Sequence, residues 1–188
     1  MRKTAKKFGD ILDKYVVLKL PLNLNNSPTH KLESDYQITG AEVREKIRND
    51  EKRLLSLYFD NWQLPFHGKL NGWRDDSPLY ILHNGVLASG IYLCDNNEFD
   101  EGINWGQLHY FYTAPAYKKK GLHSILVEHA IKKAKSWNLQ GVLINTDRYL
   151  ITELYLRRGA VIWKEIKKTN SFKPSSVFGK IMGLLYSL

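Results

Sequence analysis

The chain has one cysteine, Cys94, in 188 residues. An internal disulfide framework and a cysteine-rich zinc site are therefore excluded, and a reducing, cytoplasmic setting fits. No apolar run reaches the roughly 20 residues that span a bilayer. The nearest, Val177 to Leu185, is short and is interrupted by Lys180. The N-terminus, Met1-Arg2-Lys3-Thr4-Ala5-Lys6-Lys7-Phe8, is basic but lacks the apolar stretch and small-residue cleavage site of a secretory signal. Also missing are a G-x-S-x-G elbow, a G-x-x-x-x-G-K-[ST] loop, a G-x-G-x-x-G turn and an H-E-x-x-H helix. Hydrolase, NTPase, dinucleotide-dehydrogenase and zinc-protease readings lose their support. His123 and His129 stand six apart, a poor spacing for a shared metal, so no metal site is expected.

With 43% hydrophobic and 25% charged residues the sequence is that of a globular protein, and its length suits one domain. Residues 1–38 read as an N-terminal extension containing a first strand, 39–168 as the core, and 169–188 as a C-terminal strand or extension. That last segment, from Ser175, is a candidate for completing the sheet or pairing two protomers as a homodimer. Lys and Arg number 28 against 19 Asp and Glu, a net charge of +9. Such a charge suits a phosphate-rich ligand or a nucleic acid, and weighs against polycationic partners.

Tyr15 to Leu20 reads as a strand stopped by Pro21. Thr39-Gly40-Ala41-Glu42 has the form of a capping box opening a helical region that runs to Phe59. Leu79 to His83 and Val86 to Leu93, joined by Asn84-Gly85, form a hairpin, because Asn-Gly accepts the positive φ of a type I′ turn. Gln107 to Thr113 adds a third strand. Apolar residues at Leu122, Ile125, Leu126, Ala130, Ala134 and Trp137 recur at helical spacing. Val142 to Ile144 is a buried strand, Tyr149 to Arg158 a helix ended by Gly159, and Ala160 to Trp163 a strand. Strand–helix–strand order implies a right-handed crossover, with the strands at 107–113 and 142–144 parallel.

The most informative segment joins a strand to a helix: Thr113-Ala114-Pro115-Ala116-Tyr117-Lys118-Lys119-Lys120-Gly121-Leu122-His123-Ser124. Successive N–H groups and the positive end of a helix dipole make an anion site there, and Gly121 permits close backbone approach. This stretch resembles the GNAT superfamily of acetyl-CoA-dependent N-acetyltransferases, whose signature is V-x-P-x-x-[RQ]-x-x-G-x-[GA]. Pro115, Lys118 and Gly121 follow the pattern; Thr113 and His123 depart from it. A second match is Leu154-Tyr155-Leu156-Arg157-Arg158-Gly159-Ala160, with the family's spacing between tyrosine and glycine.

The resemblance implies an α/β fold: a mixed, mostly antiparallel sheet with a splayed parallel strand pair, flanked by helices on both faces. It implies acetyl transfer from acetyl-CoA to a small-molecule or peptide amine. Backbone groups of Phe111, Tyr112 and Thr113 would bind the pantetheine and the developing oxyanion, and residues Lys118, Lys119, Lys120, Gly121, Leu122, His123 and Ser124 the diphosphate. Asn145 and Arg148 would lie near the pantetheine. Tyr155 matches the tyrosine that protonates the departing sulfur. Strand alternation places His109, Phe111 and Thr113 on one face, where His109 is a candidate base; Glu98, Asp100 and Glu101 are rivals. Residues 39–73 would wall the acceptor cleft, with Trp62, Phe66, His67, Trp73 and Arg74 as candidate lining. The alternative is a nucleic-acid-binding domain that stacks bases on Tyr110, Phe111 and Tyr112.

Overall fold

The computed structural model describes residues 11–22, 32–58, 74–95 and 104–167. The segment 169–188, expected to complete the sheet or pair protomers, lies outside the described residues. Seven strands form one sheet: β1 (Ile11–Pro21), β2 (Tyr36–Thr39), β3 (Pro78–His83), β4 (Val86–Cys94), β5 (Trp105–Thr113), β6 (Gly141–Arg148) and β7 (Val161–Lys167). Their order is β2-β3-β4-β5-β6-β1-β7. Only β5 and β6 run parallel; each other neighbouring pair is antiparallel.

The hairpin turn is as read, with positive φ at Asn84 (49°) and Gly85 (79°). Tyr36–Thr39 is an edge strand that the sequence did not signal, since four residues are too few to show alternation. The capping box takes a variant form. Gly40 N–H and the Thr39 hydroxyl both donate to the Glu42 carboxylate, so the chain enters through a 3-10 turn at Ala41–Val43 before α1 (Arg44–Tyr58).

The strand read at Tyr15 to Leu20 is an interior strand, not an appendage. β1 lies between β6 and β7, antiparallel to both, with Val17, Leu18 and Leu20 at 0% exposure. The N-terminal part of the chain thus supplies sheet core.

Helices cover both faces. α2 (Leu122–Ser136) buries Leu122, Ile125, Leu126, Ala130 and Ala134 against β3 to β6, and α3 (Tyr149–Leu156) packs on β1 and β6 on the same side. α1 covers the opposite face through Ile47, Leu54 and Leu55, above β4 and β5. No helix among the described residues is long and apolar enough to cross a membrane.

The core under α1 is built from tyrosines. Tyr80, Tyr92, Tyr110 and Tyr112 are each 3% exposed or less. Buried hydroxyls need partners, and Glu51, fully buried, serves three of the four: it accepts from Tyr92 (2.6 Å) and Tyr112 (3.0 Å), and the Tyr80 and Tyr92 hydroxyls meet at 3.1 Å. Burial pushes all four phenols above their usual range. Tyr112 reaches Glu51 only because Gly90, its partner on β4, has no Cβ; one placed there would overlap the Tyr112 hydroxyl and ring. Gly90→Ala should therefore destabilise the protein by about 1–3 kcal/mol, as over-packing does. Denaturant unfolding of the variant is the check.

Candidate active site

Two local departures from regular geometry create the site. The first is in β5. Tyr110 has φ 51°, a costly value for a non-glycine residue, and the β4–β5 register slips between Gly90 and Tyr92. This is a β-bulge, two residues facing one, and it turns the strand. Pairing of β5 with β6 runs from Trp105↔Gly141 to Leu108↔Ile144, and the register ends there. Beyond it the parallel strands part, and β5 from His109 to Thr113 faces β6 from Asn145 to Arg148 without a ladder. On that side the edge of β5 beyond Leu108 has no strand partner.

The bulge corrects one expectation. His109, Phe111 and Thr113 do not share a face. His109 pairs with Tyr92 in the α1 core, and Tyr110 and Tyr112 also belong to that core, whereas Phe111 packs on the α2 side. The extra residue inverts the alternation on which the expectation rested. His109 is 4% exposed, and burial lowers its pKa to about 3. A ring that resists protonation there is poorly suited to accept an amine proton. Burial of Tyr110 and Tyr112 likewise removes the stacking platform of the nucleic-acid reading.

The second departure is the loop from β5 into α2. Ala114 N–H donates to Ala88 O (2.8 Å), a 3-10 turn spans Pro115–Tyr117, and Lys119 (65°) and Gly121 (74°) both take positive φ. Gly121 caps α2 without a side-chain bond. A helix leaves its first N–H groups without intrahelical partners, and alternating φ signs turn neighbouring amides inward, so a cup of donors forms at the positive end of the dipole. Lys118 and Lys119 are exposed beside it. Lys120 is turned aside: its ammonium donates to the Tyr36 hydroxyl (3.1 Å) and lies over the Tyr36 and Tyr117 rings. The Tyr117 hydroxyl meets His83 Nδ1 (3.3 Å), and His83 Nε2 meets Asp35 (2.6 Å). These contacts tie the loop to the β2–β3 corner. Leu122 is core, and Ser124 is 8% exposed, its N–H donating to Gly121 O (2.9 Å).

Between the two departures stand Phe111, His123 and Tyr155. His123 Nε2 and the Tyr155 hydroxyl are 2.7 Å apart, and the Phe111 ring lies 4.7 Å from the imidazole. Tyr155 is fully buried and burial raises its pKa. Burial, aided by the charge of Arg158, lowers that of His123 to about 4. Thr113 Oγ1 lies 2.9 Å from Ser89 Oγ. Asn145 is the first residue of β6 past the paired stretch, and Arg148 ends that strand opposite Ile11. Trp62, Phe66, His67, Trp73, Glu98, Asp100 and Glu101 lie outside the described residues. Arg74 is half-exposed and pairs with Asp95 (2.7 Å).

Two buried charges went unnoticed in the sequence. Glu51 sits at helical spacing from Ile47 and Leu55, and Arg158 three residues after Tyr155; a charge on an apolar stripe is the signal that would have found each.

A parallel strand pair that parts beside the N-terminus of a crossover helix is the frame of this α/β protein. Residues 45–159 match the Acetyltransferase (GNAT) family model, well over half of the chain. The protein belongs to the GNAT family of acetyltransferases, which generally use acetyl-CoA. No curated protein matches its sequence. Similar solved structures include a GCN5-related N-acetyltransferase from Kribbella flavida (TM-score 0.59, 11% identity, 83% of this chain and 57% of that one). Others are an acetyltransferase from Trypanosoma brucei (0.55, 15%, 72% and 99%) and a GCN5-related N-acetyltransferase from Sphaerobacter thermophilus (0.55, 12%, 85% and 53%). At these identities the likeness is one of fold. The chain spans just over half the length of the Kribbella flavida protein.

The buried histidines set a pH dependence. In the unfolded chain both take protons near pH 6.5, while folded His109 and His123 resist protonation down to about 3 and about 4. Between those limits the unfolded state binds more protons, so their contribution is complete above 6.5 and is lost as the pH falls toward the folded values. Thermal midpoints measured across this window should drop, and His109→Leu should flatten the drop.

Proposed function

We propose that the protein transfers the acetyl group of acetyl-CoA to a primary amine by direct attack of the amine on the thioester. The observation that carries this reading is the broken β5–β6 ladder opening onto the α2 N-terminus, with Tyr155 buried between them. The residues present fit the cosubstrate. The amides at Gly121, Leu122 and His123, with Lys118 and Lys119, would hold its diphosphate, and the edge of β5 from Phe111 to Thr113, which has no β6 ladder, would accept its pantetheine amides. Acetyl-CoA supplies an activated carbonyl; the chain supplies placement, a dry cleft and proton management.

A main-chain N–H of β5 beside the bulge would stabilise the developing oxyanion. The Tyr155 hydroxyl is the proton donor to the departing thiolate. His109 is set aside as base, since its ring lies on the α1 side of β5. The acceptor is a small-molecule or peptide amine.

Three measurements test the reading. Acetyl-CoA at about 100 times its Kd should stabilise the native state by about 2.7 kcal/mol, raising the thermal midpoint. A β-branched side chain at the positive φ of Gly121 disturbs the donor cup, so Gly121→Val should weaken acetyl-CoA binding by about tenfold or more. Tyr155→Phe should lower kcat by about a hundredfold and leave acetyl-CoA affinity nearly unchanged. No stabilisation by millimolar acetyl-CoA would overturn the proposal.

A further inference from the structure

Arg158 follows α3, its N–H donating to Tyr155 O (3.0 Å). It is 5% exposed, its Nη1 has no hydrogen-bond partner, and no carboxylate pairs with it among the described residues. An unpaired guanidinium in that position works against folding, because its lost hydration is not made good. Folds keep such a charge where function uses it. Its electrostatic neighbours are Tyr155 and His123. The titratable and charged groups facing Tyr155 are thus His123 from α2 and Arg158 beyond α3; β5 contributes the uncharged Phe111 ring.

The geometry points to Arg158 and His123 as positioning residues that make Tyr155 a usable acid, by stabilising the phenolate it becomes. The inference rests on the acetyltransferase reading above. A phenol in a dry site is a weaker acid than in water, since its anion loses solvation. The cation opposes that loss directly. His123 remains neutral, and in the tautomer that carries its proton on Nε2 it donates to the phenolic oxygen and leaves the phenol hydrogen free to point at sulfur. In the step, the Tyr155 O–H bond breaks and an S–H bond forms on the departing thiolate. The phenolate keeps the Nε2–H bond and the field of Arg158, then regains a proton from the solvent that received the proton lost by the amine.

Arg158→Met tests this, because structure and function move it in opposite directions. Removing an unpaired buried charge should raise the thermal midpoint, whereas turnover of acetyl-CoA to free thiol, with a panel of primary amines and water as acceptors, should fall about tenfold or more. Acetyl-CoA affinity by calorimetry should change by less than roughly twofold. Arg158→Lys should recover most of the turnover. On the protein without ligand, the 15N titration of His123 should move up from about 4 in Arg158→Met, since the charge that helps keep the ring neutral is gone. A lower midpoint would make Arg158 structural, a tenfold or greater loss of acetyl-CoA affinity would make it a phosphate ligand, and unchanged turnover would make it a bystander. Each overturns the inference. If the unaltered protein binds and turns over acetyl-CoA while Arg158→Met does the same, this inference alone falls; if the unaltered protein does neither, both readings fall.

Discussion

Strand β5 cannot pair with both neighbours along its whole length once Tyr110 takes a positive φ. The bulge bends the strand toward β4, and the ladder to β6 stops at Leu108. Everything at the site follows from that interruption. It leaves β5 from Phe111 to Thr113 without a β6 ladder at the sheet centre, turns Phe111 toward α2, and keeps Tyr110 and Tyr112 under α1. A strand edge without a sheet partner inside a domain must place its backbone polar groups elsewhere, and under the proposed function the amides of the cosubstrate would take up part of them.

The strain at Tyr110 persists because the far side of the strand is over-determined. Tyr112 is fixed by Glu51 and by the missing Cβ of Gly90, and Tyr92 shares the same carboxylate from the opposing strand. α1, which covers this core, is thereby coupled to the cleft on the other face through the backbone of β5. The two faces handle polarity differently. Under α1 a buried carboxylate receives tyrosine hydroxyls; beside α2 a buried guanidinium has no anionic partner among the described residues and stands near a phenol and an imidazole. The first is anchored by hydrogen bonds to one carboxylate oxygen of Glu51, whereas Arg158 Nη1 has no hydrogen-bond partner.

Much of the site was legible because it rests on local rules. The strand–loop–helix junction around Gly121 needs a residue tolerant of positive φ followed by an amphipathic run, and both are visible in the sequence. The spacing from Tyr155 to Gly159 reflects one helical turn and its terminating residue. The side of the sheet occupied by His109 was misread for a physical reason: a bulge adds one residue to a period of two, and nothing in Tyr110-Phe111-Tyr112 advertises where that residue falls. His123, taken as an oddity of the phosphate loop, proves to be the partner of the Tyr155 hydroxyl.

By itself the sequence determined the elements whose causes lie within a few residues: the Asn84-Gly85 turn, the buried stripe of α2, the glycine that opens it and the one that ends α3. Its single cysteine also excluded an internal disulfide and a cysteine-rich zinc site, and the lack of a G-x-x-x-x-G-K-[ST] loop disfavoured an NTPase reading. Only the tertiary structure decided that β1 would lie between β6 and β7, that β5 would part from β6 after Leu108, and that Arg158 would be buried beside Tyr155. Those outcomes depend on contacts between residues far apart in the chain, where burial and pairing over the whole sheet outweigh local preference.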